Sequence, residues 1–323
     1  MTDRLARSDA GDEHPPADKE TVAWLLASTE PAVGRLTRRD LLGEPHGEPG
    51  AAGEAAPVNG PVVEALLAGQ DAGGGFGGHP YRKWGGAHWR LVSLVELGIA
   101  AGEPRAVAAL DTVLAWLTGA SHRSNVPVVA GLTRRCASQE GNALAVACRL
   151  GCVDDPRTEL LARSLVAWQW PDGGWNCDVR PEAHRSSFHE SLPPMWGLHE
   201  YAVATGDHTA AAAAGRTAEL LLDHRLFKAT ATGKPIHPSF RTLHWPLTGT
   251  TTPCRPWWCW LAWVVRANPV VQTASSCSRN GEDRTPDGVR ENAGGRRRVA
   301  RAHPRLSTGA RRRSTIKWSP CER

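Results

Sequence analysis

Three pairs of apolar, helix-like segments repeat along the middle of the chain, and the first segment of each pair ends in a glycine. The segments HWRLVSLVELG, QEGNALAVACRLG and MWGLHEYAVATG end at Gly98, Gly151 and Gly206, which lie 53 and 55 residues apart. A second helical segment follows each glycine, with Pro104 and Asp155 placed as residues typical of helix starts. Runs that alternate with a period of two are few, so strands have little support. The pattern predicts an all-α array of helical hairpins.

Two glycine-rich segments follow helices of this array and share a skeleton of Gln, Asp, paired Gly and an aromatic residue. They read GQDAGGGF at 69–76 and QWPDGGW at 169–175, and their glutamines lie 99 residues apart, about two hairpin periods. Gly173 permits a sharp reversal that residues with a Cβ resist, while Gln169 and Trp175 can hydrogen-bond and pack across to a neighbouring hairpin. Because a hairpin cannot bury its apolar face alone, we expect stacked hairpins, in an open solenoid or a closed ring, held by these segments.

The two segments resemble the QW motifs of the squalene-hopene and oxidosqualene cyclases, over roughly residues 60 to 245. This resemblance implies an α/α toroid of repeated helical hairpins, a fold also used by the β subunits of protein prenyltransferases, and a structural role for the motifs. It further implies a cavity for an isoprenoid or other apolar small molecule. The DxDD motif that carries the acid of the cyclases does not occur, and Cys177 directly precedes Asp178, whereas the zinc-binding Cys of the prenyltransferases comes two positions after an Asp. Two functions stay open: a terpene cyclase-like or prenyltransferase-like protein, and a non-catalytic helical-repeat scaffold or binding protein.

The segment WNCDVRPEAHRSSFHES, at 175–191, is the richest in polar groups and precedes a first helix of a pair. At the rim of a cavity, buried carboxylates suit general acid chemistry, and His and Cys side chains suit zinc binding. Zinc is the only cofactor that these residue types suggest, and we expect the protein to have no cofactor. The candidate catalytic residues are Asp178, His189, Glu190 and, from TRRCASQEGN at 133–142, Glu140; the candidate zinc ligands are Cys177, His184 and His189. The alternative is that these groups cap helices and bond between repeats, with Ser138 as a helix N-cap.

Aromatic residues are weighted to tryptophan, with 14 Trp against 4 Phe and 2 Tyr. Several lie at or near the starts of the first helices, where they could line an apolar cavity and stabilise carbocations by cation-π attraction. The candidate substrate-binding residues are Tyr81, Trp84, Trp89, Trp175, Trp196 and Trp245. Packing in the core is the alternative for each of them.

The remaining segments divide the chain into five parts. We expect disorder over 1–20, a short helical segment over 21–43, a Pro/Gly-rich linker over 44–60, toroid repeats over 61–247 and a basic, disordered tail over 248–323. Residues 264–323 carry a net charge of +9 and residues 1–263 a net charge of −4, so nucleic acid is not an expected partner. The N-terminus shows no signal peptide and no apolar run is long enough to span a membrane, which favours a cytoplasmic protein.

The hairpin pattern stops after HPSFRTLHWPL, and the following TGTTTPCRPWWCWLAWVV has no helical periodicity. From Thr248 onward, the genetic code allows codons for these residues that, when read in a shifted frame, encode WHYDALQALVVLARLG. That helix ends in Leu-Gly, and its glycine overlaps position 264, 58 residues after Gly206. We therefore expect a frame change near Leu247, an out-of-frame tail and a toroid that is incomplete at its C-terminus.

Overall fold

A computed structural model describes residues 18–44, 60–124 and 126–241. Ten α-helices run through these ranges: α1 (Lys19–Leu26), α2 (Pro31–Asp40), α3 (Pro61–Leu67), α4 (Ala87–Leu97), α5 (Pro104–Thr118), α6 (Ala120–Arg123), α7 (Ser138–Arg149), α8 (Pro156–Trp168), α9 (Phe188–Thr205) and α10 (His208–Asp223). A 3-10 helix (Pro238–Arg241) follows, and β1 (Val128–Val129) pairs antiparallel with β2 (Leu132–Thr133). The all-α prediction is confirmed. The expected frame change and Trp245 lie outside the described residues.

The helix ends follow the local signals of the sequence. Asp155 accepts the backbone N–H of Arg157 at 2.8 Å before α8, and Asp207 caps α10 in the same way. Gly98 and Gly206 take left-handed conformations, with φ of 80° and 76°, directly after α4 and α9. Such residues end a helix without the penalty that a Cβ brings, so the predicted glycine terminations are confirmed.

Two helices begin earlier than the sequence suggests. Helix α1 begins at Lys19, inside the range expected to be disordered, because the Asp18 carboxylate accepts the N–H of Thr21 at 3.1 Å. Helix α9 begins at Phe188, before a Pro-Pro pair that suggests a later start. The buried hydroxyl of Ser191 fixes its first turn by donating to the Ser187 carbonyl at 2.6 Å and accepting the N–H of Trp175 at 3.0 Å. The polar segment before Met195 is therefore partly helical.

The helices pack in two rows. Helices α4, α7 and α9 lie side by side in one row. Helix α4 packs against α5, α7 against α8 and α9 against α10. Helices α7 and α9 approach closely, since a Cβ built on Gly141 would lie 2.3 Å from the Pro194 nitrogen. A Cβ built on Gly197 would lie 2.4 Å from the Gly141 carbonyl oxygen. Glycine at both positions allows backbone to pack against backbone.

The glycine-rich segments join neighbouring hairpins as predicted. The Gln169 amide donates to the Gly173 carbonyl and to the Ala213 carbonyl of α10, both at 2.9 Å. The indole of Trp175 is buried and donates to the Leu165 carbonyl at 3.0 Å. A Cβ on Gly173 would lie 2.7 Å from the Arg216 carbonyl oxygen of α10, and its φ is 94°. These contacts give QWPDGGW a structural role.

The first glycine-rich segment makes the equivalent contact. The Gln70 amide donates to its own loop at Gly74, at 3.0 Å, and to the Arg105 carbonyl of α5, at 2.7 Å. Each glutamine thus bridges from the end of one helix to the second helix of the next pair.

Among the described helices, none has the length and apolar character needed to cross a membrane.

Candidate functional site

The first turns of α7 and α9 each carry a glutamate, and the two glutamates interact electrostatically, while Cys177 of the segment before α9 contacts one of them. Each glutamate is the third residue of its helix: Glu140 in α7 and Glu190 in α9. Glu190 Oε2 accepts the backbone N–H of Ser138, the first residue of α7, at 3.0 Å, and the Cys177 thiol donates to Glu190 Oε1 at 3.7 Å. The close contact of α7 with α9 therefore builds the site, and a carboxylate of one helix satisfies an amide at the start of the other.

Glu140 is a buried, ionised carboxylate. Its side chain is 1% exposed, and a single oxygen, Oε1, accepts from His122 Nε2 at 2.9 Å and from Arg135 Nη2 at 2.8 Å. Burial is the largest influence and by itself raises the pKa of Glu140. The hydrogen bond from His122 and the charge of Arg135 together outweigh it, so the pKa lies below its usual value. The second oxygen, Oε2, is buried and has no hydrogen-bond partner among the described residues.

The pKa of Glu190 shifts in the opposite direction from that of Glu140. Burial raises its pKa, and the charge of Glu140 adds to that rise. The Ser138 amide and the Cys177 thiol stabilise the charged form and do not overcome burial. Part of the side chain still touches solvent, while dense protein surrounds the carboxyl group. Two carboxyl groups that interact electrostatically and whose pKa values move apart have the chemistry that an acid and a charged partner require.

An aromatic cluster lies against this pair. The Tyr81 ring is 5.0 Å from the His88 imidazole, 5.3 Å from Trp89 and 5.5 Å from Trp116, measured between centroids. Burial, and then the charge of Glu190, raises the pKa of Tyr81 to about 12, so the phenol stays protonated. Burial lowers the pKa of His88 to about 3, so the imidazole stays neutral. The cluster therefore offers ring faces and neutral polar groups beside the two glutamates.

The other catalytic candidates lie in less suitable settings. Asp178 pairs with Arg180, whose Nε lies 2.9 Å from Asp178 Oδ2, and this hydrogen bond holds the pKa of Asp178 below its usual value. An ionised, partly exposed carboxylate is not placed to donate a proton. His189 lies on the first turn of α9 with its ring 6.3 Å from Phe240, and burial lowers its pKa.

Zinc is poorly matched to the residues present. In the described ranges, the one group of three ligand atoms within 4.8 Å of one another comprises Cys136, Cys177 and Glu190. Cys136 is disulfide-bonded, whereas zinc binds thiolates. Neither His189 nor His184 belongs to the group, and His184 Nδ1 instead lies 2.7 Å from the Glu182 carbonyl oxygen.

The aromatic candidates divide into two sets. Trp84 and Trp89 belong with Tyr81, because the Trp84 and Trp89 rings lie 5.8 Å apart. Trp175 is a buried part of the turn between hairpins, and Trp196 is buried within α9, where its indole donates to Glu200 at 2.9 Å. Packing thus explains Trp175 and Trp196.

Four residues of the site escaped the sequence analysis or were given another role. His122, Arg135 and His88 were not singled out, although a buried glutamate needs hydrogen-bond donors and Arg135 precedes Glu140 by five residues. The expected N-cap role of Ser138 is wrong: Ala137 precedes α7 without a side-chain cap, and Ser138 contributes its N–H to Glu190. Only the folded contact of α7 with α9 reveals that bond.

A pocket of about 220 Å³ lies apart from the glutamates, against the glycine-rich loop of residues 71–80, the start of α4 and Thr112. None of the candidate catalytic residues lines it.

Comparison with protein-family models, with curated proteins and with solved structures gives no match for this chain. The case for a function therefore rests on the geometry of the two glutamates and the rings beside them.

Proposed function

We propose that this chain is a cyclase-like enzyme that protonates an isoprenoid or other apolar alkene, with Glu190 as the acid. The observation that supports this function is a pair of carboxyl groups at the starts of two packed helices that interact electrostatically and whose pKa values move in opposite directions, beside an aromatic cluster. Glu190 keeps its proton more readily than an ordinary glutamate, as a general acid must. Glu140 stays negative and favours positive charge nearby.

The reaction balances with these groups alone. Glu190 transfers its carboxyl proton to one alkene carbon, the π electrons form the new C–H bond, and a carbocation and the Glu190 carboxylate remain. The faces of Tyr81 and Trp89 and the charge of Glu140 stabilise that cation. Loss of a proton from a neighbouring carbon to the Glu190 carboxylate restores the acid and releases an isomerised or cyclised alkene.

A neutral substrate fits this site better than a prenyl diphosphate. Phosphate groups need cationic side chains, and Arg135, the cation bonded within the site, is already paired with Glu140. The poor match to zinc also weakens a prenyltransferase reaction. We accordingly favour protonation of an uncharged alkene over ionisation of a diphosphate.

We also propose that the two rows of helices belong to an α/α toroid. The support is the order of packing, with α4, α7 and α9 in one row and α5, α8 and α10 in the other, together with the two glutamine bridges between hairpins. In that arrangement the first row lies inside, so the starts of α7 and α9 open onto a central cavity.

The test is turnover of squalene by the full chain in D2O, with products analysed by gas chromatography and mass spectrometry. We expect a product with a single deuterium, and a loss of about 10²–10⁴-fold in rate for Glu190→Gln. Glu159→Gln is the matched control, because Glu159 is a half-exposed carboxylate on α8, 3.4 Å from Arg163. A silent wild type, or equal rates for the two variants, would remove the acid and favour the alternative of a non-catalytic scaffold.

A further inference from the structure

Two segments that precede helices α7 and α9 lie side by side and bring two cysteines together. Arg134 and Asn176 form a parallel bridge between these segments, and the backbone N–H of Arg135 donates to the Asn176 carbonyl at 3.3 Å. Paired strands lie about 4.7–4.9 Å apart, and a disulfide joins residues whose Cα atoms are about 4.4–6.8 Å apart. Cys136 and Cys177 follow directly on the paired segments, so the backbone spacing is compatible with a bond between them.

The sulfur atoms of this pair are also close. Cys136 Sγ, Cys177 Sγ and a carboxylate oxygen of Glu190 all lie within 4.8 Å of one another. Cys136 belongs to a disulfide whose partner lies outside the described residues, whereas Cys177 carries a thiol. Two other thiols, Cys148 and Cys152, lie at the far end of α7, roughly 15 Å from its start by the rise of the helix. Among the described thiols, Cys177 is therefore the one placed to react with this disulfide.

Burial favours attack on this disulfide from within the protein over attack by a thiol in solution. Cys136 is only 9% exposed, so an external thiol has little access to its sulfur. The Cys177 thiol already donates to Glu190 Oε1 at 3.7 Å, while Glu190 Oε2 accepts the N–H of Ser138 at 3.0 Å. Exchange begins when a thiolate attacks a disulfide sulfur, so the thiol must first lose its proton to an acceptor. The three side chains thus supply a nucleophile, a proton acceptor and a target.

We propose that Cys136, Cys177 and Glu190 form a site of intramolecular thiol–disulfide exchange. The Cys177 proton passes to the Glu190 carboxylate, and the Cys177 sulfur attacks Cys136 Sγ. A bond between the two cysteines forms, and the existing disulfide bond of Cys136 breaks. The partner's sulfur leaves with the electron pair and takes up a proton from solvent, while Glu190 returns its proton to solvent. One disulfide and one thiol are present before and after, so no oxidant or reductant is consumed. This activity goes beyond the proposed function and does not depend on it.

The experiment follows the disulfide of Cys136 in the full chain at pH 8 with dilute reduced glutathione. Samples are quenched with acid, blocked with N-ethylmaleimide and mapped as non-reduced peptides by mass spectrometry. We expect a peptide that joins Cys136 to Cys177, and loss of the original linkage about tenfold faster in the wild type than in Cys177→Ser, because an attacking group held in place has a high effective concentration. Cys152→Ser is the matched control, because Cys152 is also a half-buried thiol, and it should exchange as the wild type does.

A second comparison needs no variant. In the native wild type, the Cys136–Cys177 peptide should be at least about tenfold more abundant than a Cys136–Cys148 peptide, and this preference should disappear in concentrated urea, because it depends on the fold. Equal rates for the wild type and Cys177→Ser, or no preference for Cys177 in the native protein, overturn the exchange site. Because neither readout involves squalene, the site stands or falls independently of the proposed acid chemistry.

Discussion

Replacement of Gly141 by alanine should destabilise the fold by forcing α7 away from α9. The new Cβ would lie 2.3 Å from the Pro194 nitrogen and 2.5 Å from the Pro193 carbonyl carbon, both backbone atoms. A contact of 3.0 Å, the lower limit for real Cβ atoms, requires the helices to separate by roughly 0.7 Å. Backbone cannot swing aside as a flexible side chain does, so the whole of α9 must move.

The cost follows from two opposing effects. Overpacking of a tight interface typically costs about 1–3 kcal/mol, and a clash between backbones belongs at the upper end of that range. Alanine is about 1 kcal/mol more favourable than glycine inside a helix, which offsets part of the loss. The free energy of unfolding should therefore fall by about 2 kcal/mol, which lowers the melting temperature of a chain of this size by about 4–8 °C. The separation should also lengthen the 3.0 Å bond from Ser138 to Glu190 and reduce turnover.

Thermal unfolding followed by circular dichroism at 222 nm checks this prediction. The control is Gly34→Ala on α2, where the nearest atom to the new Cβ is the flexible Arg38 Nη1 at 3.3 Å. That variant should be as stable as the wild type or more stable, because only the helix preference changes. Equal melting temperatures for Gly141→Ala and Gly34→Ala would refute the close-packing argument.

Three further predictions concern the turn between hairpins and the charged site. Gln169→Ala should lower the free energy of unfolding by about 2–3 kcal/mol in urea titrations, because the Ala213 carbonyl and the Arg216 guanidinium both lose a partner; a loss below about 0.5 kcal/mol would contradict its structural role. Glu190→Gln should be more stable than the wild type between pH 5 and pH 8. In the wild type, the raised pKa of Glu190 contributes stability that is fully present below about pH 4.3 and is lost as the pH rises through the pKa of the folded state, whereas glutamine does not titrate. Glu140→Gln should be less stable than the wild type at pH 7, and the difference should shrink toward pH 3, because the lowered pKa of Glu140 stabilises the wild type at pH values above the pKa of the unfolded state. Urea unfolding at each pH checks both variants. Parallel pH profiles would contradict the opposite pKa shifts.

The sequence was most informative where a residue acts on its own neighbours. Gly98 and Gly206 end their helices and Asp155 begins α8, since caps need only a few adjacent residues. The pairing of Asp178 with Arg180 is equally local and was readable from their spacing of two residues. Treating Asp178 as an acid overlooked that signal.

Contacts between distant segments were beyond the sequence. Glu190 caps a helix that begins 52 residues earlier, and His122 reaches Glu140 from the far end of α5 through α6. Neither bond has a local signature, because the first depends on how α7 and α9 approach through glycine and the second on how α6 lies beside the start of α7. A glycine inside a predicted helix signals such an approach without naming its partner.

Different hydrogen-bond partners explain why two glutamates in equivalent positions have pKa values that shift in opposite directions. Both lie on the first turn of a helix, where the helix dipole favours the ionised form, and burial opposes that form at both. Neither influence separates them. The difference lies in their partners, since Glu140 accepts from Arg135 and His122, whereas Glu190 accepts from an amide and a thiol. The charge held on Glu140 then raises the pKa of Glu190 further, so Arg135, which helps to keep Glu140 ionised, indirectly helps Glu190 to keep its proton.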